Sequence, residues 1–238
     1  MRKFLRAAFA ATLLALPLLA AAAAPPKPFN AEYELRRNDQ VLGTGQITLR
    51  ALPGNQFELV TRSRGTKGLA ALAGLDREER SLLRWTGSGL ELVESSMRQK
   101  AAMRTREHSL RLDAASRAVV SRHKDGETRY PAPPGVLDRH GLTAAMMVAL
   151  ADGQRGTLRF NAAERREVEP QSYRVAEPVR LRTAIGTERA LRVERIRNDG
   201  SGRVTKLWFA RERSWLPLRI KQYEADGETI DMRITAIR

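Results

Sequence analysis

The chain has 238 residues, with 42 Lys and Arg against 27 Asp and Glu, a formal net charge of +15 and no cysteine. A composition that is 42% apolar and 29% charged is that of a folded globular protein, and the missing cysteines exclude disulfides and lipid attachment at a cysteine. So basic a chain has two readings, Arg filling exposed strand positions and shielding apolar sheet surface with its stem, or a surface for an anionic partner; only 5% of its residues are aromatic, too few to space a base-stacking surface, so nucleic acid is not expected.

The N-terminus reads "MRKFLRAAFAATLLALPLLAAAAAPPKPF", with Arg2, Lys3 and Arg6 ahead of an apolar run from Ala7 to Ala24. A cationic start, an apolar middle and small residues at the end spell a secretory leader. Pro25 disfavours a cut after Ala24, so cleavage is expected at Ala22 or Ala23. An uncleaved anchor fits less well, because the run is at the short limit for a membrane span and Pro17 interrupts it. The expected organisation is a leader over residues 1–23 and one exported, periplasmic domain over 24–238.

Alternation of apolar and polar residues then dominates. In "FNAEYELRR", Phe29, Ala31, Tyr33 and Leu35 fall on one face and Asn30, Glu32, Glu34 and Arg36 on the other, the pattern of a half-buried strand. Return strands follow at "VLGTGQITLR", "QFELVTRS", "ERSLLRW", "LELVESSMRQ", "TREHSLRLD", "AVVSRH" and "TRY", separated by turns such as "NDQ", "TGSG" and "KDGE". After the Pro loop "YPAPPGV", Leu142, Ala145, Met146, Ala149 and Leu150 recur at helical spacing and Gly153 ends the run. Asp138 or Thr143 is expected to accept the first amide hydrogens of this helix. Strand patterns resume from "GTLRF" to "TIDMRITAI". In "WFARERSWLPLRIK", Leu207 and Phe209 share one face, Leu216, Leu218 and Ile220 another, and Arg219 and Lys221 point the other way, with Pro217 marking an edge or a bulge. The predicted fold is mainly β: a strongly curved antiparallel sheet or incomplete β-barrel of about a dozen strands with one central helix.

Chemistry is sparse. His108, His123 and His140 show no metal-ligand spacing, and "DRH" at 138–140 reads as a helix cap, so neither a metal nor a cofactor is expected. "SRHK", Ser121 to Lys124, fits a Ser-x-x-Lys pattern but ends a strand, where the amine is not held over the hydroxyl. The segment "RGTKGLAALAGLDRE", Arg64 to Glu79, is longer than the neighbouring turns and carries Leu69, Leu72 and Leu75 between Gly65, Gly68 and Gly74. It is either a Gly-hinged lid over a cavity, able to touch membrane, or a short helical plug at one end of the sheet.

The segments "FNAEYELRRNDQVLGTGQITL", "GTKGLAALAGLDREERS", "LDRHGLTAAMMVAL" and "TKLWFARERSWLPLRIKQYEADG" together resemble an exported bacterial family, domain of unknown function 3108, across essentially the whole chain after the leader. The resemblance implies export but carries no catalytic residues. The Trp-containing strand, "LPLRI" and the following "DG" turn are more remotely similar to the closing hairpins of the periplasmic lipoprotein-carrier fold, an open barrel that shelters acyl chains. The expected function is a non-enzymatic envelope protein that binds or carries a lipid-like or amphipathic anionic ligand. Acyl chains would lie on the concave face, with Leu69, Leu72 and Leu75 as lid and Arg64, Lys67 and Arg219 at the rim pairing with headgroups. The rivals are an envelope adaptor that docks another protein at a sheet edge, and a hydrolase with a site the motifs do not reveal.

Overall fold

The computed structural model describes residues 23–238, apart from residue 198 and the side chain of Leu69. The expected leader therefore lies, but for its last residue, outside the described residues.

The alternating segments form the strands that their pattern predicts. The first group is β1 (Phe29–Arg37), β2 (Gln40–Leu52), β3 (Gln56–Gly65), β4 (Asp76–Trp85), β5 (Leu90–Ala101), β6 (Arg104–Asp113), β7 (Ala118–His123) and β8 (Gly126–Pro131). A two-residue β9 (Leu137–Asp138) leads into the helix α2 (Leu142–Ala151). The second group is β10 (Thr157–Ala163), β11 (Val168–Thr183), β12 (Gly186–Ile196), β13 (Val204–Ala210), β14 (Leu216–Tyr223) and β15 (Thr229–Ile237). A five-residue helix, α1 (Gly68–Leu72), interrupts the passage from β3 to β4.

All fifteen strands belong to one open sheet, more strands than the dozen predicted and not closed into a barrel. Neighbours are antiparallel except β9, which runs parallel to β10. The two hairpin series meet where the first strand lies beside the last: Tyr33 stands opposite Ile234 and Leu35 opposite Met232. The edges are the six-residue β8 and the two-residue β9, and short edge strands leave little backbone for unwanted pairing.

Two differences from the sequence pattern have local causes. The segment 168–183 is one continuous strand despite Pro170 and Pro178, and it takes up Pro178 through a register shift against β12. Pro217 marks a bulge inside the sheet and not an edge: the register shifts between Trp208 and Phe209. The Tyr33 hydroxyl donates to the Pro217 carbonyl at 2.6 Å, tying β1 to β14.

The helix α2 is apolar all round. Eight of its ten residues are buried, with Met146 at 1% and Leu150 at 0% exposure, so it is a core element against the inner face of the sheet and not an amphipathic cover. Leu49, Leu59 and Leu83 on that face join it in one apolar cluster. The Asp138 carboxylate accepts from the Gly141 N–H at 3.3 Å, whereas Thr143 lies inside the helix.

Candidate functional site

Along the inner face of β4, Arg77, Glu79, Ser81 and Leu83 follow one another at two-residue spacing, so the strand starts polar and ends apolar beside the core. The register extends that change sideways. Ser81 stands opposite Ser95, Leu110 follows on β6 and Ser121 on β7, while Glu79 stands opposite Met97, then His108 and His123. Asp138, the last residue of β9, and His140, from the connection between β9 and α2, close over this strip. The imidazole lies 2.8 Å from Ser81 Oγ through Nδ1 and 2.8 Å from Thr61 Oγ1 through Nε2. Ser81 donates to Asp138 Oδ2 at 2.6 Å. Because the Ser81 proton goes to the carboxylate, Nδ1 carries the proton that Ser81 Oγ accepts, and Nε2 accepts from Thr61.

This arrangement contains the residue types of a nucleophilic triad in the wrong order. A triad needs the hydroxyl to donate to imidazole and imidazole to donate to carboxylate; here imidazole donates to hydroxyl and hydroxyl to carboxylate. Ser81 is also fully buried. Burial raises the Asp138 pKa, against the pull of His140, and burial lowers that of His140 despite Glu79 and Asp138 nearby. Burial also works to raise the Glu79 pKa, but Arg77 and His140 leave it net lowered. The network is suited to pinning the start of α2 to β3 and β4. A cavity of about 160 Å³ adjoins it, lined by His140, Asp138, Glu79, His108, Arg77 and Glu164. Among the described residues no cluster of His, Asp and Glu is placed to hold a metal ion. Ser121, from the Ser-x-x-Lys match, lies in β7 with its hydroxyl 3.2 Å from His108, and Lys124 is exposed in the following turn.

On the outer face one row of directly opposed residues crosses ten strands: Arg192, Trp208, Arg219, Arg233, Glu34, Thr44, Arg64, Asp76, Lys100 and Thr105. It carries five cations and two acids, and it brings together Arg64 and Arg219, which the sequence keeps far apart. Four strand spacings put their backbones about 19 Å apart. Arg219 is rigidly placed: its guanidinium forks onto Asp231 at 2.8 and 2.6 Å and lies 5.2 Å from the Trp208 ring. Arg233 donates to the same carboxylate at 2.7 Å. Around them is a groove of about 470 Å³, lined by Arg36, Arg182, Arg219 and Arg233 with Leu181, Leu218 and Ile234. Among the described residues no carboxylate lies within 4 Å of Arg182. Thr235 lines both this groove and a neighbouring one of about 440 Å³ that contains Arg62 and Arg64.

The other predicted site residues gather at α1. Leu72 is 85% exposed, Leu75 half-buried, and Lys67 and Arg64 exposed. The segment is pinned at its base: Gly65 N–H donates to Leu75 O at 2.8 Å, Leu75 N–H to Ala70 O at 3.0 Å, and the Thr66 and Lys67 amides to Leu42 O. A Cβ on Gly65 would stand 2.6 Å from Ala70 O, which is why the backbone needs glycine there. Leu72 thus projects from a fastened loop and plugs no core. The sequence reading missed the polar strip and the outer row; the strip had a signal in Arg77, Glu79 and Ser81 sharing the alternation of Leu83, while the row depends on register.

No curated protein matches the chain. Among solved structures, a β-barrel-like protein of domain of unknown function 1849 from Brucella abortus superposes with a TM-score of 0.59 at 9% identity, covering 91% of this chain and 99% of that one. That likeness is one of fold. A lipoprotein candidate from Parabacteroides distasonis covers 92% of this chain and 98% of that one, with a TM-score of 0.31 and 8% identity. The family model for proteins of unknown function DUF3108 matches residues 32–235, from within β1 to within β15, and the chain belongs to that family.

Proposed function

We propose that the protein is exported to the cell envelope and works there by binding, not catalysis, holding an anionic lipid-like amphiphile on the outer face of its sheet. The observation that carries this reading is the Arg-lined groove between the β11–β12 turn and strands β1, β14 and β15. Asp231 holds the Arg219 and Arg233 guanidiniums in fixed orientation, Arg182 adds a cation with no carboxylate partner among the described residues, and half-buried Leu181 supplies apolar contact, with Leu218 and Ile234 buried behind the groove. A planar guanidinium offers a forked pair of donors to a phosphate, sulfate or carboxylate headgroup. The inner face, where acyl chains were expected, is occupied by α2, so the outer face is the better host. Edge docking of another protein has only six- and two-residue strands to work with. The Ser81, His140 and Asp138 order supports binding over hydrolysis.

The test is native mass spectrometry and calorimetric titration of the protein purified after export, its N-terminus read by intact mass. The expected mass lacks the first 22 or 23 residues, as the small-residue run implies. Lysophosphatidylglycerol, added below its micellar concentration, should bind saturably and lysophosphatidylcholine weakly. Arg182→Ala should weaken the first by about tenfold, the worth of one charge-assisted hydrogen bond. Absence of saturable binding, or conversion of the amphiphile to products, would overturn the reading.

A further inference from the structure

At one end of the sheet two projections from separate parts of the chain are joined. The Ala102 N–H, in the turn between β5 and β6, donates to Ala73 O, just past α1, at 2.7 Å. Next to this bond on either side are Leu72, 85% exposed, and Met103, fully exposed. Both are large apolar side chains held out in solvent, and neither is there for want of a better place. The β5–β6 turn has both central residues in the left-handed region, Ala102 at φ 47° and Met103 at φ 64°. Such turns favour Asn or Gly, and the β1–β2 turn of this protein uses Asn38 and Asp39 at φ 47° and 61°. An unbranched apolar side chain at that position carries backbone strain with no packing in return.

The surroundings are cationic. Lys67 precedes α1, and Lys100, Arg104 and Arg106 flank the turn; all four are exposed, and among the described residues none has a carboxylate within 4 Å. The nearest acids are engaged elsewhere, Asp76 with Arg64 at 3.3 Å and Glu107 with Arg98 at 3.1 Å. Two apolar side chains inside a collar of unpaired cations are too small a patch for the core of a stable protein interface. A second copy placed tip to tip would set the two collars against each other. An anionic bilayer answers both features, since its headgroups meet the cations and its acyl boundary accepts the apolar pair.

We propose that this tip docks the protein onto an anionic membrane surface, with Leu72 and Met103 entering the acyl boundary and Lys67, Lys100, Arg104 and Arg106 at the headgroups. Docking is independent of the Arg-lined groove, which lies on other strands. It orients the sheet end-on to the bilayer, with Lys100 of the outer row at the docked tip.

Sedimentation with vesicles tests this on the protein purified after export. Vesicles of phosphatidylglycerol and phosphatidylethanolamine should bind it and pure phosphatidylcholine should not, with binding weakened by salt. The double variant Leu72→Ser, Met103→Asn, in which Asn suits the left-handed turn, should stay folded and bind at least tenfold more weakly. The triple variant Lys67→Gln, Lys100→Gln, Arg104→Gln should lose roughly a hundredfold. Since the chain has no cysteine, Leu72→Cys gives a single site for an environment-sensitive fluorophore, whose emission should shift to the blue on binding. The Leu72→Ser, Met103→Asn variant should still bind monomeric lysophosphatidylglycerol as the wild type does, since neither residue lines the groove, which separates failure here from failure of the groove. Binding that survives the apolar double variant is simple adsorption and overturns insertion. So does a wild type that ignores anionic vesicles, or one that self-associates through the tip without binding them.

Discussion

Asp231 is the test of how the outer row is held. Its side chain is 1% exposed and accepts three guanidinium hydrogen bonds, at 2.8 and 2.6 Å from Arg219 and 2.7 Å from Arg233. Burial pushes its pKa up, but the two guanidiniums outweigh that and leave it below the ordinary value. Asp231→Asn keeps the shape, removes the charge and turns one acceptor into a donor facing donors. Removing one partner of a buried ion pair costs about 3–5 kcal/mol. Here Arg219 and Arg233 are 22% and 37% exposed and recover some hydration, so about 2–3 kcal/mol is expected. For a domain of this size that lowers Tm by about 8 °C. The depressed folded-state pKa means the stabilisation is complete above the unfolded value of about 3.9 and fades as pH falls below it. Urea denaturation followed by tryptophan fluorescence, with Trp208 beside Arg219, reads both effects. An unchanged midpoint at pH 7, or a gap between wild type and variant that does not narrow below about pH 3.9, would refute the argument.

Leu150→Asp places an uncompensated charge at a fully buried position of α2 and should prevent cooperative folding, while Leu150→Met should cost less than about 1.5 kcal/mol; circular dichroism melts that show Asp as mild as Met would put the helix outside the core. His140 is held neutral by burial, so stability should decline as pH drops below about 6.5, where the unfolded chain takes up the proton first. His108, lowered by burial and by His123 and Arg165, contributes in the same direction, so His140→Asn should reduce that decline without abolishing it; denaturation midpoints at pH 7.5 and 5.5 with equal slopes for both proteins would contradict this.

The local pattern was legible because period-two alternation reports one buried face. Tyr33 and Ile47 are buried where that alternation predicts, and the helix at 142–151 follows from its spacing. What alternation cannot report is which strand lies beside which. The Arg64 to Arg219 row exists only because β1 pairs with β15, a contact between the chain's two ends. Nor does spacing distinguish an amphipathic helix from one enclosed on all sides, so α2 was readable as a helix but not as the filling of the sheet. Leu72 stood out in the sequence as an apolar residue in a Gly-rich insertion, but its partner Met103 sits in what reads as an ordinary hairpin turn, and only the Ala102 to Ala73 bond brings them together.

The β1–β15 seam also sets the order in which the molecule can come into being. In the finished sheet β15 lies between β1 and β14, and Arg238 adds a backbone bond to Asn30 and an ion pair to Glu32. Until the last ten residues arrive, the two hairpin series have no shared strand and each carries a raw edge at the centre of the future sheet. Closure across almost the whole sequence is the slowest kind of contact to make, because the loop entropy is lost before the pairing is gained. A chain arranged this way keeps its two hairpin series apart until β15 is available, and locks when that strand pairs with β1.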